Sequence, residues 1–187
     1  MEVDSDFDFC QTTVKKLFLD PEFNQVLREQ HQVYVSAGNS LNWGRLIPQV
    51  GYSVSAYCEM VKNGRINLGD PVDICVPTGN FGNILGVYYA KKYMGLPVRN
   101  IICASNVNNV LNDFFHTGHY DISKRSLVIS DSPAMDILVS SNLERFLLSA
   151  LGGTGAASGL VRDLYTRLQE QRKFSLSNNE SWKEIQG

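Results

Sequence analysis

Hydrophobic and polar positions alternate along the chain in a way that predicts helices and short strands. Two apolar, β-branched runs, residues 72–76 and 100–104, predict buried strands, and amphipathic helices are predicted after them over 84–94 and 108–116. A strand–helix–strand–helix order is typical of parallel sheets joined by right-handed crossovers. The pattern therefore predicts an α/β fold whose ligands bind beyond the carboxyl ends of the strands.

The same periodicity predicts further elements on both sides of this unit. Predicted helices cover about residues 9–18, 21–28, 45–62, 142–151 and 160–173. The remaining segments are predicted as a short strand at 33–35, a turn at 118–121, a loop into a short strand or turn at 132–138, a flexible glycine segment at 152–159, and a polar, frayed end at 175–187.

The turn after the first predicted strand, Gly79-Asn80-Phe81-Gly82-Asn83, is the main candidate for chemistry. Backbone N–H groups at the start of a helix bind anions, above all phosphate. Glycines allow positive φ and close approach of a ligand, and asparagine amides add donors. The turn has neither a Walker lysine nor the G-x-G-x-x-G spacing. The residues alone leave open a phosphate-bearing ligand and a strand-to-helix turn without a ligand.

Glycines also dominate residues 152–159, with the sequence Gly-Gly-Thr-Gly-Ala-Ala-Ser-Gly. The spacing is similar to a loose dinucleotide-binding loop, but a predicted helix precedes it, whereas such loops follow a strand. A helix stop followed by a hinge is the favoured interpretation.

Composition narrows the class of protein. The 187 residues suit one domain or slightly more, and 43% hydrophobic with 19% charged residues is typical of a soluble globular chain. A net charge of −2 without basic runs argues against nucleic-acid binding, and no apolar run reaches membrane-span length. The acidic start, residues 1–8, is unlike a secretory signal or a transit peptide, which predicts an intracellular, cytoplasmic chain and leaves mitochondria as the alternative.

Four cysteines lie far apart and form no C-x-x-C pair. This spacing favours reduced structural thiols over a metal site or a disulfide. No metal site is predicted.

Seven sequence blocks, in order, resemble the threonine synthase family, which comprises pyridoxal-phosphate enzymes of the tryptophan synthase β-like superfamily, and most of all its animal threonine synthase-like members. The blocks are residues 40–49, 76–85, 89–92, 95–97, 103–106, 132–137 and 140–145. The resemblance implies an incomplete three-layer αβα fold of fold-type II with a parallel sheet, and pyridoxal 5'-phosphate as the cofactor. It covers about residues 3–151. It implies a partial catalytic domain over 1–151, with the end of a small domain to about residue 38 and part of a large domain after it, and leaves 152–187 as an unplaced tail.

The resemblance also implies roles for individual residues. The cofactor phosphate would be cradled by Gly79, Asn80, Phe81, Gly82 and Asn83. The phosphate of the substrate, O-phosphohomoserine, would be held by Asn39, Ser40 and Arg45. A guanidinium fork suits a phosphate dianion. Without the motif, Arg45 is interpreted as a surface salt-bridge residue.

One expected feature is absent from the sequence. The family carries its Schiff-base lysine in a Phe-Lys-Asp block, and this sequence has no such block, so no catalytic residue is assigned. The chain is therefore expected to be an internal piece of a threonine synthase-like lyase, inactive by itself. The parent would convert O-phosphohomoserine to threonine and phosphate, or act as a phospho-lyase on another phosphorylated amino acid. The alternatives are a non-catalytic interaction or signalling isoform, a non-functional truncation and a nucleotide-binding domain, and the oligomeric state stays open.

Overall fold

The structure is a computed structural model that describes residues 4, 7–36, 38, 42–177, 182 and 185. The chain forms two compact units, residues 1–38 and 39–187. The predicted candidate residues all belong to the second unit.

The first unit contains the helices α1 (Phe7–Leu19) and α2 (Pro21–His31). Asp20 caps α2, because its Oδ1 accepts a hydrogen bond of 2.9 Å from the Phe23 N–H, and Pro21 occupies the first helical position. The Asn24 amide donates to the carbonyl of Leu17 at 3.1 Å and joins the two helices. Both helices confirm the sequence prediction.

The predicted strand at 33–35 is wrong. Gln32 ends α2 in the left-handed region at φ 52°, and the chain then continues without regular structure. Val33 and Tyr34 are 49% and 79% exposed, so the β-branched and aromatic pattern does not reflect burial in a sheet.

The second unit alternates helices and strands. Its helices are α3 (Trp43–Lys62), α4 (Gly82–Met94), α5 (Val110–Thr117), α6 (Leu143–Ala150) and α7 (Gly155–Gln171). Its strands are β1 (Val72–Pro77), β2 (Val98–Ala104), β3 (His119–Asp121) and β4 (Lys173–Ser175), and a short 3₁₀ helix covers Pro133–Met135.

The strands of this unit form two pairs. β1 and β2 are parallel, with Pro77 opposite Ala104, and α4 is the crossover between them. β3 and β4 are antiparallel, with Tyr120 opposite Phe174. The parallel pair with its crossover helix confirms the predicted α/β class.

The two faces of the β1–β2 sheet differ in burial. Ile74, Val76 and Cys103 belong to the hydrophobic core, which they share with the helices. Cys75 and Ile102, on the opposite face, are exposed. The sheet therefore has one covered face in the part of the chain that the structure describes, as expected of an incomplete αβα layering.

The described residues near the end of the chain form more structure than the sequence predicted. Residues 119–121 form β3 instead of a turn, because β4 pairs with them. The predicted frayed end at 175–187 is wrong at its described apolar positions, because Leu176, Trp182 and Ile185 are at most 9% exposed. Phe174 and Trp182 pack on Phe114, with ring centroids 5.6 and 5.1 Å away. The apolar residues spaced through this polar segment were the sequence signal that could have indicated its packing on the core.

The flexible glycine segment is also partly wrong, since α7 begins inside it at Gly155. Gly152 and Gly153 have φ of 88° and 67°, so the stop after α6 is confined to these two residues.

Candidate functional site

The candidate turn lies where the two parallel strands end together. β1 ends at Pro77, α4 begins at Gly82, and the Thr78 N–H donates to the carbonyl of Ala104, the last residue of β2, at 2.9 Å. The turn therefore occupies the carboxyl edge of the sheet, where ligands of parallel α/β folds bind.

A bulky residue adopts the strained backbone conformation in this turn. Phe81, which precedes α4, has φ 63° and ψ 5°, while neither Gly79 nor Gly82 has a positive φ. The expectation that the glycines supply positive φ is wrong. Phe81 is 2% exposed and its ring packs on Phe115 and Phe146 at 5.7 and 5.4 Å, so burial of the ring offsets a backbone strain of about 1–3 kcal/mol.

The glycines serve close packing instead. A Cβ on Gly79 would lie 2.7 Å from the carbonyl oxygen of Ala134, and a Cβ on Gly86 would lie 2.9 Å from the carbonyl carbon of Gln49. A Cβ on Gly82 would lie 3.4 Å from the side-chain nitrogen of Asn142. Other backbone segments therefore approach Gly79 in the turn and Gly86 in α4 so closely that only glycine fits at these two positions.

The backbone N–H groups of the turn have no hydrogen-bond acceptor in the part of the chain that the structure describes. Among residues 42–177, none accepts a hydrogen bond from the N–H groups of 79–83, and no side chain caps α4. The carbonyls, in contrast, are held: the Ser140 hydroxyl donates to Gly79 O at 2.5 Å, and the Asn142 N–H and side-chain amide donate to Asn80 O at 3.1 and 3.2 Å. The turn thus presents donors at the positive end of a helix, which suits an anion.

Two buried hydroxyls at the same edge also have no partner. These are Thr78 Oγ1 at the end of β1 and Ser105 Oγ at the end of β2, counted over the described residues. Buried polar atoms in folded proteins are normally hydrogen-bonded. Their presence at the strand ends, beside five unpaired N–H groups, fits a site that binds a polar ligand.

A network of hydrogen bonds fixes the loop that packs on Gly79. Asp136 accepts from Ser130, from the Asn106 amide at 2.7 Å and from the Asn108 amide at 3.1 Å. The Ser130 N–H and hydroxyl, followed by the two amides, hold the pKa of the Asp136 carboxyl below its ordinary value. The carboxylate therefore stays ionised and anchors residues 130–136 beside the turn.

The predicted substrate residues are only partly placed. Asn39 and Ser40 lie outside the described residues. Arg45 is exposed in the first turn of α3, and the Gln49 amide donates to its carbonyl at 2.9 Å. Gln49 contacts Gly82 on its other side, since a Cβ there would lie 3.5 Å from Gln49 Oε1. The face of α3 that carries Arg45 and Gln49 therefore packs at the start of α4.

An arginine that the residue-level interpretation missed connects these parts. Arg145 Nη1 donates to Asn142 Oδ1 at 3.2 Å, and its guanidinium lies 5.3 Å from the ring centre of Trp43. Trp43 in turn stacks on Tyr89 at 6.0 Å. Blocks 132–137 and 140–145 carried the family resemblance, but no role was given to Ser140, Asn142 or Arg145.

A separate groove of about 430 Å³ lies between α6 and α7. Val161, Arg162 and Tyr165 line one side of it, and Glu144 and Arg145 line the other. Burial raises the pKa of the Tyr165 hydroxyl, so that group stays neutral. No residue of the 79–83 turn lines this groove, and we place the candidate site at the turn because the unpaired donors are there.

Metal and membrane features were also assessed over the described residues. No group of three or more metal-ligating side chains occurs among them. None of their helices is both long and apolar enough to cross a bilayer. Burial raises the pKa of the Cys103 thiol to about 11, as expected for a structural cysteine.

The sequence and the fold of this chain are similar to those of known proteins. Threonine synthase-like 1 of Homo sapiens is 51% identical to this chain over 174 residues, which are 93% of the chain and 23% of the relative. The chain belongs to the threonine synthase family. No family model matches the chain.

Two solved structures extend this likeness to the fold. The structure of pyridoxal-phosphate-bound threonine synthase from Brucella melitensis has a TM-score of 0.78 and 37% identity, and the match covers 97% of this chain and 35% of that one. Yeast threonine synthase has a TM-score of 0.77 and 35% identity, covering all of this chain and 35% of its own. The predicted fold, an incomplete fold-type II αβα architecture, is confirmed.

The matches correct one expectation and set one limit. A match over 174 residues extends into the segment after residue 152, so the expectation that the resemblance ends near 151 is wrong. The chain spans about a quarter of the length of the curated relatives it matches.

Proposed function

We propose that this chain provides the cofactor-phosphate site of a pyridoxal-phosphate-dependent enzyme of the threonine synthase type. One observation carries the proposal: the N–H groups of residues 79–83 lack acceptors among residues 42–177, at the uncapped start of α4 and at the carboxyl edge of a parallel sheet. The likeness to a threonine synthase that binds pyridoxal phosphate supports the same cofactor here.

The cofactor and the turn divide the chemistry between them. When bound, pyridoxal phosphate supplies an electron sink that stabilises negative charge on the substrate carbon. The turn binds its phosphate dianion through backbone N–H groups, each charge-assisted hydrogen bond contributing about 1.5–3 kcal/mol. The α4 dipole adds about 0.3–1 kcal/mol. The buried ring of Phe81 and the glycine contacts hold these donors in place before the ligand arrives.

The substrate belongs to the phosphorylated amino acids. In this proposal Arg45, with Asn39 and Ser40, binds the substrate phosphate by a bidentate guanidinium contact. The packing of Gln49 between Arg45 and Gly82 supports a substrate phosphate site close to the cofactor site. O-phosphohomoserine, converted to threonine and phosphate, is the proposed substrate, and phospho-lyase chemistry on a related phosphoamino acid is the alternative outcome.

The chain alone is proposed to bind the cofactor without turnover. Its sequence lacks the Phe-Lys-Asp block that carries the family's Schiff-base lysine, and no lysine lies in the 79–83 turn. Without that amine, covalent attachment and the associated proton transfer are lost.

The test measures binding of pyridoxal 5'-phosphate to the 187-residue chain by equilibrium dialysis. We expect binding that inorganic phosphate competes away, and no binding of pyridoxal, which lacks the phosphate. Borohydride should fix no cofactor to the chain, and O-phosphohomoserine should release no phosphate.

Three results would contradict the proposal. If pyridoxal bound as tightly as pyridoxal 5'-phosphate, the phosphate group would contribute nothing to binding and the proposed phosphate site would be wrong. Covalent fixation or turnover would show that the chain has its own reactive lysine. If the chain bound a nucleotide, and excess pyridoxal phosphate did not displace that nucleotide, the result would favour a nucleotide-binding domain.

A further inference from the structure

A second segment of the chain, Ser140–Asn142, donates hydrogen bonds to carbonyls of the candidate turn. The carbonyl of Gly79 accepts from the Ser140 hydroxyl at 2.5 Å, and the carbonyl of Asn80 accepts twice from Asn142, at 3.1 and 3.2 Å. We call Ser140–Asn142 the carbonyl clamp. Residues about 60 positions away in sequence thereby occupy the first two carbonyls of the turn, those of Gly79 and Asn80.

The clamp determines where the N–H groups point. In a planar trans peptide the C=O and the following N–H point in opposite directions. Fixing the carbonyl of Gly79 therefore fixes the N–H of Asn80, and fixing the carbonyl of Asn80 fixes the N–H of Phe81. Both N–H groups therefore point away from the clamp and are left available to a ligand on the opposite side.

The two clamp residues that bind the carbonyls, Ser140 and Asn142, are buried and hydrogen-bonded. Asn142 is fully buried and Ser140 is 3% exposed. The Ser140 N–H donates to the Tyr120 hydroxyl at 3.2 Å, and that hydroxyl donates to Leu138 O at 2.7 Å. Tyr120 stacks on Phe174 at 5.1 Å, so the clamp is anchored to the β3–β4 pair at the end of the chain.

The side-chain oxygen of Asn142 also has a hydrogen-bond partner. Its Oδ1 accepts from Arg145 Nη1 at 3.2 Å, which leaves the Nδ2 donor directed at Asn80 O. The amide is thus satisfied in one orientation, as expected of a polar side chain that specifies local geometry in a core.

We propose that Ser140 and Asn142 are positioning residues that set the phosphate affinity of the 79–83 turn by fixing the peptide planes of Gly79 and Asn80. The inference rests on the proposed function, because it concerns the same anion site. Neither residue touches the ligand, and each acts through the backbone donors it orients. Preorganised donors bind an anion more tightly because they need no reordering on binding.

The experiment compares Ser140→Ala and Ser140→Thr with the wild-type chain, using inorganic phosphate and pyridoxal 5'-phosphate as ligands. Loss of the hydroxyl frees the Gly79 carbonyl, and we expect affinity for both ligands to fall by about tenfold. Threonine retains the hydroxyl and should restore most of the affinity. The amide resonance of Asn80 should shift in the ligand-free alanine variant, since its peptide plane is released.

Thr154→Ala is the matched control for lost stability. Thr154 Oγ1 accepts from the Ala157 N–H at 3.2 Å and caps α7, outside the turn and the clamp. This variant should lose stability by a similar amount while it binds phosphate as tightly as the wild type, with the Asn80 resonance unchanged. Equal loss of affinity in this control would show that affinity follows overall stability, and would overturn the inference.

Two further outcomes separate this inference from the proposed function. A wild-type chain that binds no phosphate overturns the proposed function and the inference together. A wild-type chain that binds, with a folded Ser140→Ala variant that binds equally well, overturns the inference alone. If the alanine variant does not fold, Ser140→Cys retains a weaker donor and should show intermediate affinity; affinity equal to the wild type would again overturn the inference.

Discussion

Two glycine-rich segments start helices in this chain, and they differ in what satisfies the helix start. At α7, the side chain of Thr154 accepts from the Ala157 N–H at 3.2 Å. At α4, no side chain takes this role, and the residue before the helix is the buried Phe81. A helix start that its own sequence caps needs no ligand, whereas an uncapped start retains donors for an anion.

The glycines of the two segments also have different tasks. Gly152 and Gly153 have positive φ, and a Cβ on either would meet nothing within 4 Å. Gly79 lacks positive φ, and a Cβ there would meet Ala134 O at 2.7 Å. Glycine in the first segment permits a backbone conformation, and in the second it permits close packing around the candidate site.

Gly79→Ala is expected to have the largest effect. The new Cβ cannot fit against Ala134 O, so the turn or residues 133–137 must move, which costs about 1–3 kcal/mol of unfolding free energy. Because the displaced peptide also carries the N–H groups, phosphate binding should be lost. Thermal unfolding and dialysis with pyridoxal 5'-phosphate measure the two effects.

The matched control for this prediction is Gly155→Ala, at a glycine that also lies at the start of a glycine-rich helix entry, but has nothing within 4 Å of its Cβ position. It should leave phosphate binding unchanged. A Gly79→Ala variant as stable and as active in binding as Gly155→Ala would remove the distinction between the two segments.

The sequence predicted most of the fold because the main elements carry strong local signals. The parallel strands and the helices α2, α3 and α6 follow from apolar periodicity and from caps such as Asp20-Pro21. The pair β3–β4 was missed because each strand is three residues long and only their pairing defines them. The likewise missed start of α7 depends on Thr154, since three of its first five residues are weak helix formers.

The candidate site was predictable only in part, for a similar reason. The 79–83 turn is local in sequence and has a known physical role at a helix start. The clamp at Ser140–Asn142 acts across some 60 residues, and nothing in the types Ser or Asn indicates which carbonyl they bind. Positive φ was assigned to the glycines because sterics favour it there, but burial of the Phe81 ring outweighs the backbone cost.

Gly159→Ala should have a smaller effect, of opposite sign to Gly79→Ala. Gly159 lies inside α7, is exposed and has no neighbour within 4 Å of its Cβ position. Alanine has the higher helix propensity, so the free energy of unfolding should rise by about 0.5–1 kcal/mol. Denaturant unfolding measures the gain. A loss of stability would mean that the α7 glycines, like Gly79, are required for packing.

The smallest expected effect is a pH dependence that belongs to one segment alone. Asp136 holds the loop beside Gly79, and its pKa in the folded chain lies below its ordinary value because the Ser130 N–H and hydroxyl donate to it. A lowered folded-state pKa stabilises the fold above pH 3.8, the ordinary value, and this contribution disappears as the pH falls through the folded-state pKa. The difference in melting temperature between wild type and Asp136→Asn should therefore be constant near pH 6 and shrink towards pH 3. The first turn of α7 carries no acidic residue, so the corresponding difference for Thr154→Ala should stay the same over this range. A parallel decline in both differences would assign the acid sensitivity to the chain as a whole and not to Asp136.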